Sequence, residues 1–275
     1  AGRTGAGCPA LIMVSLRAMK LLDDMLGAAI LAGREILRVR ASGYDVATKA
    51  DDSPVTVADQ AAEAIILERL RIAAPDVPVV AEESVAAGRV PVVARRFFLV
   101  DPLDGTREFV AGRDEYTVNV ALVEAGVATL GVVVAPALGR AFAGAVGACR
   151  AFEYHGLDGV PQRHRVLNVR QPPAGRMVAV ASRSHDTPQT ERWLAENGVT
   201  ERVSIGSSLK FCLLASGEAD VYPRFGPTME WDTAAGDAVL SAAGGSVLDP
   251  QGAPLRYGKP GFRNSNFVAI TRKVA

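Results

Sequence analysis

VDPLDGTREF, residues 100–109, decides how this chain is read. The apolar run Phe97, Phe98, Leu99 and Val100 reads as a buried strand that ends on Asp101 and Asp104, held around Pro102 in a predicted tight turn. Like charges buried together cost free energy unless something positive sits between them. A core strand that ends this way asks for a cation. Proline fixes one backbone dihedral and Gly105 lets the backbone approach closely, so both carboxylates and the Leu103 carbonyl can converge on one point.

Upstream of this stretch, residues 15–40 keep apolar positions at helical spacing, and a second helix is predicted from Val57. PVVAEE (78–83) reads as a strand. Downstream, turn signals at Glu124–Gly126, Pro136–Gly139 and Gly147 cut a β-rich stretch into an antiparallel meander. The character then changes. Strands MVAVAS, ADVYPRF, SVLD and NFVAI alternate with helices around Thr187–Asn197, SLKFCLLAS and TAAGDAVLSAA. An α+β half with an antiparallel sheet, residues 13–158, followed by an α/β half, residues 159–275, is the expected organisation.

The 275 residues are 49% hydrophobic, enough for a large core or two joined subdomains. Thirty Lys and Arg balance thirty Asp and Glu, so no basic field points to nucleic acid and no acidic one to a cationic partner. Cys8, Cys149 and Cys212 are odd in number and far apart, which argues against a disulfide framework or zinc site and favours a reducing compartment. No apolar run reaches the roughly 20 residues of a membrane span. Residues 1–12 precede Met13 and lack signal-peptide architecture, so they read as an upstream extension. A cytoplasmic protein is expected, with peripheral attachment to the cytoplasmic face of the inner membrane left open. Oligomeric state is not legible.

Four acidic clusters stand at element boundaries: Asp59 in SPVTVAD, Glu82 and Glu83 in VVAEES, the Asp101/Asp104 pair, and Asp232 in WDTAAG. Taken singly each has a structural reading, with Asp59 and Asp232 as helix caps and the glutamates as a solvated turn. Together they offer hard oxygen ligands without His or Cys, the set that magnesium prefers. Nothing matches the spacing of a calcium-binding loop.

EES, VDPLDGT and WDTAAG, complete and in order, resemble the motif set of the inositol monophosphatase-like, lithium-sensitive magnesium phosphatases, and the resemblance runs from TKADDSPVTVAD to NFVAI. It implies that family's layered αβαβα sandwich. It implies two or more Mg2+ ions, one held by Glu82, Asp101 and the Leu103 carbonyl, and another by Asp101, Asp104 and Asp232. Metal-assisted hydrolysis of a phosphomonoester follows from that arrangement. The family pattern pairs Thr106 with Asp59 to orient the attacking water, with Glu82 a further contributor, and the identity of the general base stays open. Gly105 and Thr106 open a predicted helix whose amides face the phosphate.

SRSH (182–185), GSSLKFC (206–212) and VYPRFGPT (221–228) resemble the 3'(2'),5'-bisphosphate nucleotidase (CysQ-type) branch of that family, which acts on adenosine 3',5'-bisphosphate, a by-product of sulfate assimilation. Such a substrate keeps a second phosphate bound while the first leaves, and it needs cations or donors away from the metals. His185, Ser207, Lys210 and Arg224 are the expected cradle, with Ser207 and Lys210 on one face of a predicted helix. Inositol enzymes generally place an acid where Arg224 stands. An inositol or sugar (fructose 1,6-bisphosphatase-like) phosphatase is the alternative, and hydrolysis of the sulfated donor is left open. A non-catalytic sensor is disfavoured, because Asp59, Asp104 and Thr106 are all present.

Overall fold

A computed structural model describes residues 16–48, 54–172, 176–181, 187–199 and 201–271. Apolar residues three and four apart build helix α1 (Leu16–Ser42), which buries a stripe through Leu22, Met25, Ala29 and Ile36. A two-stranded ribbon, β1 (Val46–Thr48) with β2 (Pro54–Thr56), leads into α2 (Val57–Ala73). Thr56 caps α2: its hydroxyl accepts from the Ala58 amide at 3.1 Å, while the Asp59 carboxylate takes the Thr56 amide at 2.7 Å.

There follow β3 (Val79–Ala81), α3 (Glu82–Ala86), β4 (Arg96–Asp104) and α4 (Thr106–Val110). The meander is β5 (Thr117–Glu124), β6 (Val127–Ala135), β7 (Arg140–Ala145), β8 (Arg150–His155) and β9 (Gln162–Leu167). β3 to β9 form one seven-stranded sheet in sequence order, parallel at β3–β4 and antiparallel elsewhere. The sheet runs on past the expected joint at residues 158 and 159, because β9 pairs with β8 through Leu167.

The rest of the chain supplies β10 (Val178–Ala181), α5 (Pro188–Glu196), β11 (Glu201–Ser204), α6 (Leu209–Ala215), β12 (Val221–Arg224), α7 (Ala234–Ala242), β13 (Ser246–Leu248) and β14 (Phe267–Ile270). Its five strands are ordered β11-β10-β12-β14-β13, with β14 antiparallel to both neighbours.

Side-chain alternation along the first sheet assigns the layers. Val118, Val120, Leu122 and Phe98 pack with α1 and α2, whereas Ala121, Val123, Val133 and Phe142 pack with α6 and α7. α6 and α7 also cover the second sheet, and Leu194 of α5 joins Ala179 and Val221 on its far side. The result is the αβαβα sandwich.

α7 seats unusually close to the first sheet. Gly131 and Gly144 lie opposite each other on β6 and β7. A Cβ at Gly144 would come within 2.7 Å of the Val239 Cα, and one at Gly131 would strike the Ala235 carbonyl. Bare backbone and the alanine-rich face of α7 therefore set this spacing.

One local expectation is corrected. The DPLD stretch is no tight turn. β4 continues through Asp104, and a register shift between Asp101 and Asp104 lets Pro102, which has no amide hydrogen, sit in the irregular stretch of the ladder. Cys212 is a buried free thiol. Among the described residues, no helix is long and apolar enough to cross a membrane.

Candidate active site

Parallel pairing of β3 with β4 sets Ala81 opposite Val100, so the next residues, Glu82 and Asp101, emerge at the same end of the sheet. Asp104 follows past the bulge. Gly105 then takes a left-handed φ of +91°, which turns the chain into α4 at Thr106. Asp232 arrives from the other half, in a single turn of 3-10 helix (Glu230–Asp232) immediately before α7. Glu82, Asp104, Gly105, Thr106 and Asp232 line one cavity of about 340 Å³, and Ser207, Lys210 and Arg224 line it too. Asp59, Asp101 and Leu103 are buried.

The acids are held by their neighbours. Thr106 Oγ1 lies 3.1 Å from Asp59 Oδ1 and 3.0 Å from the Leu103 carbonyl, and shares its one proton between them. Asp59 Oδ2 accepts from the amide and hydroxyl of Thr56, both at 2.7 Å. Asp59 is thus a capping acid and a partner of Thr106 at once. Asp104 Oδ2 accepts from the Ser208 amide at 2.6 Å and more distantly from Asn119 and Thr117. Asp101 Oδ1 takes the Leu103 amide at 3.0 Å, and Asp232 Oδ2 takes the Met229 amide at 2.8 Å.

Among the described residues these contacts fall on Oδ2 of Asp104 and Oδ2 of Asp232, and Oδ1 of neither takes a hydrogen bond. Burial, then the charges of Asp104 and Glu82, push the Asp232 carboxyl well above the usual carboxylate range. The cavity thus gathers several carboxylates, and Arg224 only partly offsets the rise at Asp232. Among the described residues no three His, Cys, Asp or Glu side chains already stand as a closed ligand cluster. The donor set nevertheless fits a hard cation: every candidate ligand is oxygen, and the repulsion at Asp232 is what a cation would relieve.

The same cavity also holds two basic side chains, Lys210 and Arg224. Lys210 is buried, and its ammonium donates to the Ser207 carbonyl at 2.7 Å and the Ile205 carbonyl at 3.2 Å. Burial brings its pKa down to about 8 against the opposing pull of Asp104. Arg224, at the end of β12, is buried, donates from Nη2 to the Pro227 carbonyl at 3.0 Å and has an Nε with no acceptor. Ser207 departs from expectation in one respect: it precedes α6, with a left-handed φ of +52°, and does not share a helical face with Lys210. The two still meet, because Lys210 folds back onto the Ser207 carbonyl. His185, with the SRSH stretch, lies outside the described residues.

Three residues that sequence reasoning missed organise the site. The Ser208 hydroxyl donates to the Asp232 carbonyl at 2.6 Å and accepts from Asn119 Nδ2 at 2.9 Å, so with its amide it ties together acids from both halves. Asn119 carried a signal: an amide in the apolar strand TVNVALVE, on the same face as Ala121 and Val123. Glu63, buried on α2, accepts from the Glu83 amide at 2.9 Å and the Ser84 hydroxyl at 2.6 Å.

Comparison with known proteins matches the inositol monophosphatase family model over residues 20–274. The chain is 45% identical over 253 residues to the 3'(2'),5'-bisphosphate nucleotidase CysQ of Escherichia coli K12, covering 89% of this chain and 99% of that one. It is 37% identical to the nucleotidase CysQ of Buchnera aphidicola, covering 91% and 93%. Among solved structures, CysQ from Bacteroides thetaiotaomicron superposes with a TM-score of 0.76 at 35% identity, covering 94% of this chain and all of that one.

Proposed function

The chain belongs to the inositol monophosphatase family, whose members are metal-dependent, and from that premise we propose that it is a magnesium-dependent 3'(2'),5'-bisphosphate nucleotidase. Its substrate on this reading is adenosine 3',5'-bisphosphate, which it converts to AMP and phosphate. The observation that carries the proposal is the polarity of one cavity. Carboxylates and two buried cations, Lys210 and Arg224, line it together, and among the described residues Arg224 Nε has no acceptor. An inositol monophosphate brings one phosphate to such a site, whereas a bisphosphorylated nucleotide brings two.

Glu82, Asp101, the Leu103 carbonyl, Asp104 and Asp232 are the residues that would hold the metal, as two or more Mg2+ ions. Bound there, magnesium supplies charge neutralisation for the phosphoryl group and a lowered pKa for the attacking water. The protein's own part is orientation and proton handling. Thr106 Oγ1 is a hydroxyl that Asp59 can keep pointed: while donating to Asp59 it presents its lone pairs to a water entering the cavity. The amides of Gly105 and Thr106 open α4 toward the same space and suit the phosphate oxygens. In the same cavity Arg224 and the remaining N–H of Lys210 bind the phosphate that is not cleaved, with Ser207 beside them. His185 completes the cradle in this reading. The similarity to 3'(2'),5'-bisphosphate nucleotidases supports the choice of nucleotide over polyol.

The test is phosphate release, with Mg2+, from adenosine 3',5'-bisphosphate, inositol 1-phosphate and fructose 1,6-bisphosphate at equal concentrations. Preference for the nucleotide supports the assignment. Preference for inositol or sugar phosphate overturns the reading of Lys210 and Arg224 and leaves the metal site standing.

A further inference from the structure

Helix α2 carries two buried carboxylates one turn apart, Asp59 and Glu63, at 1% and 4% exposure. Residues four apart on a helix share a face. Asp59 reaches Thr106, next to the DPLDG stretch, and Glu63 reaches the EES stretch. One helix therefore holds both acidic motifs.

What Glu63 holds is the start of α3. This helix has five residues, and Ala81, at its N-cap, provides no side-chain cap. First-turn amides of a helix have no acceptor within it and favour a negative group nearby. Glu63 supplies that group from a different helix. Oε2 takes the amide of Glu83, and Oε1 takes the hydroxyl of Ser84. The Glu83 amide belongs to the peptide immediately after Glu82, so fixing it fixes the direction in which the Glu82 side chain leaves the backbone.

We propose that Glu63 is a positioning residue for the metal site: its two-oxygen grip on Glu83 and Ser84 aims Glu82 at the cation and so sets metal affinity. The inference rests on the reading of Glu82 as a metal ligand. Both oxygens of Glu63 act as acceptors; a glutamine there can keep the Glu83 bond and reverse the Ser84 one, but the grip loses the charge that strengthens it. Outer partners of this kind typically govern about 10- to 100-fold in metal affinity.

The experiment is titration of metal-free protein with Mn2+, followed by electron paramagnetic resonance without substrate, on wild type, Glu63→Gln, Ser84→Ala and Glu153→Gln. Glu153 lies in an ion-pair network on β8, remote from the cavity, and serves as a variant that lowers stability only. Glu63→Gln is expected to weaken Mn2+ binding about tenfold and to raise the Mg2+ concentration for half-maximal phosphate release by a similar factor. Its kcat at saturating Mg2+ should stay within about threefold of wild type, since the reacting groups are untouched. Ser84→Ala, which removes one bond of the two, tests the same grip if Glu63→Gln fails to fold, with an expected loss of about threefold. Wild-type affinity in a folded Glu63→Gln overturns the proposal. An equal loss in Glu153→Gln also overturns it, because stability alone then explains the effect. Failure of wild type to bind Mn2+ overturns the metal assignment itself, a different result from failure of the positioning role.

Discussion

The Thr106 hydroxyl and Asp59 Oδ1 meet at 3.1 Å across 47 positions of chain, while the other oxygen of Asp59 is held by two bonds from Thr56. The carboxylate cannot turn without giving up its helix cap, so Thr106 has a fixed partner for its proton. Thr106→Val keeps the shape and removes the hydroxyl. Its kcat is expected to fall by about 10²- to 10⁴-fold, the range of a lost acid–base group, with KM and the melting temperature little changed. Thr106→Ser should restore most of the rate. Steady-state phosphate release and thermal unfolding read both.

Asp101→Asn and Asp104→Asn should each abolish turnover without unfolding the chain, because the amide keeps the volume and an acceptor for Leu103 or Ser208 but loses the charge. Circular dichroism and phosphate release decide this, and retained activity in either variant sinks the ligand assignment.

Asp232 predicts the response to metal. Its carboxyl is raised by burial and by Asp104 and Glu82. A carboxyl raised in the folded state destabilises the fold as pH rises above the ordinary carboxylate range. Metal-free protein therefore carries this penalty at neutral pH. Mg2+ should raise the melting temperature, by linkage to a site present only in the folded chain, and Asp232→Asn should reduce that gain. Differential scanning calorimetry with Mg2+ and with chelator is the measurement.

How much of this was legible beforehand follows the range of the interactions. The acids could be read because each ends an apolar run, and apolar-to-acid boundaries are local. Helices α2, α5, α6 and α7 were legible from period and from their caps or closing glycines. The path of DPLD was not: proline followed by glycine suggests a turn, whereas pairing with β5 draws the segment into a bulged strand. Ser207 read as helical because nothing local announces its left-handed backbone. The roles of Ser208, Asn119 and Glu63 depend on partners 15 to 104 positions away. No window along the sequence contains both ends of such a bond.

Arg224 is the discriminator of substrate. Arg224→Met retains bulk in a buried position and removes the guanidinium whose Nε has no protein acceptor. KM for adenosine 3',5'-bisphosphate should rise roughly 10- to 100-fold, the equivalent of about 1.5–3 kcal/mol for a charged hydrogen bond. KM for inositol 1-phosphate should move less than about threefold. Equal changes for both substrates would place Arg224 on the scissile phosphate instead.

Glu153 controls stability in acid. Burial opposes its ionisation, but hydrogen bonds from Arg140, His155 and Arg165 hold its pKa down to about 2 from an ordinary 4.5. A carboxyl lowered in the folded state contributes stability that is fully present above the unfolded value and lost as pH falls toward the folded one. The contribution, about 2 kcal/mol after allowance for the solvent-exposed partners, should fade between pH 4.5 and about 2. In Glu153→Gln that slope should flatten, as urea unfolding across the acid range will show.

The close seating of α7 on Gly131 and Gly144 has a consequence for descent and for engineering. Asp232 stands just ahead of that helix, so the distance between the acids of the first sheet and the acid of the second half is set by glycine backbone against backbone and alanine methyls, with no long side chain to absorb a mismatch. Halves joined after Leu167 are therefore not interchangeable parts. A chimera that takes α7 from one relative and β6–β7 from another keeps its metal-binding spacing only if both glycines and the small-residue face of the helix travel together. Separately inherited, they would yield a folded hybrid with its acids at the wrong separation, or no stable hybrid at all.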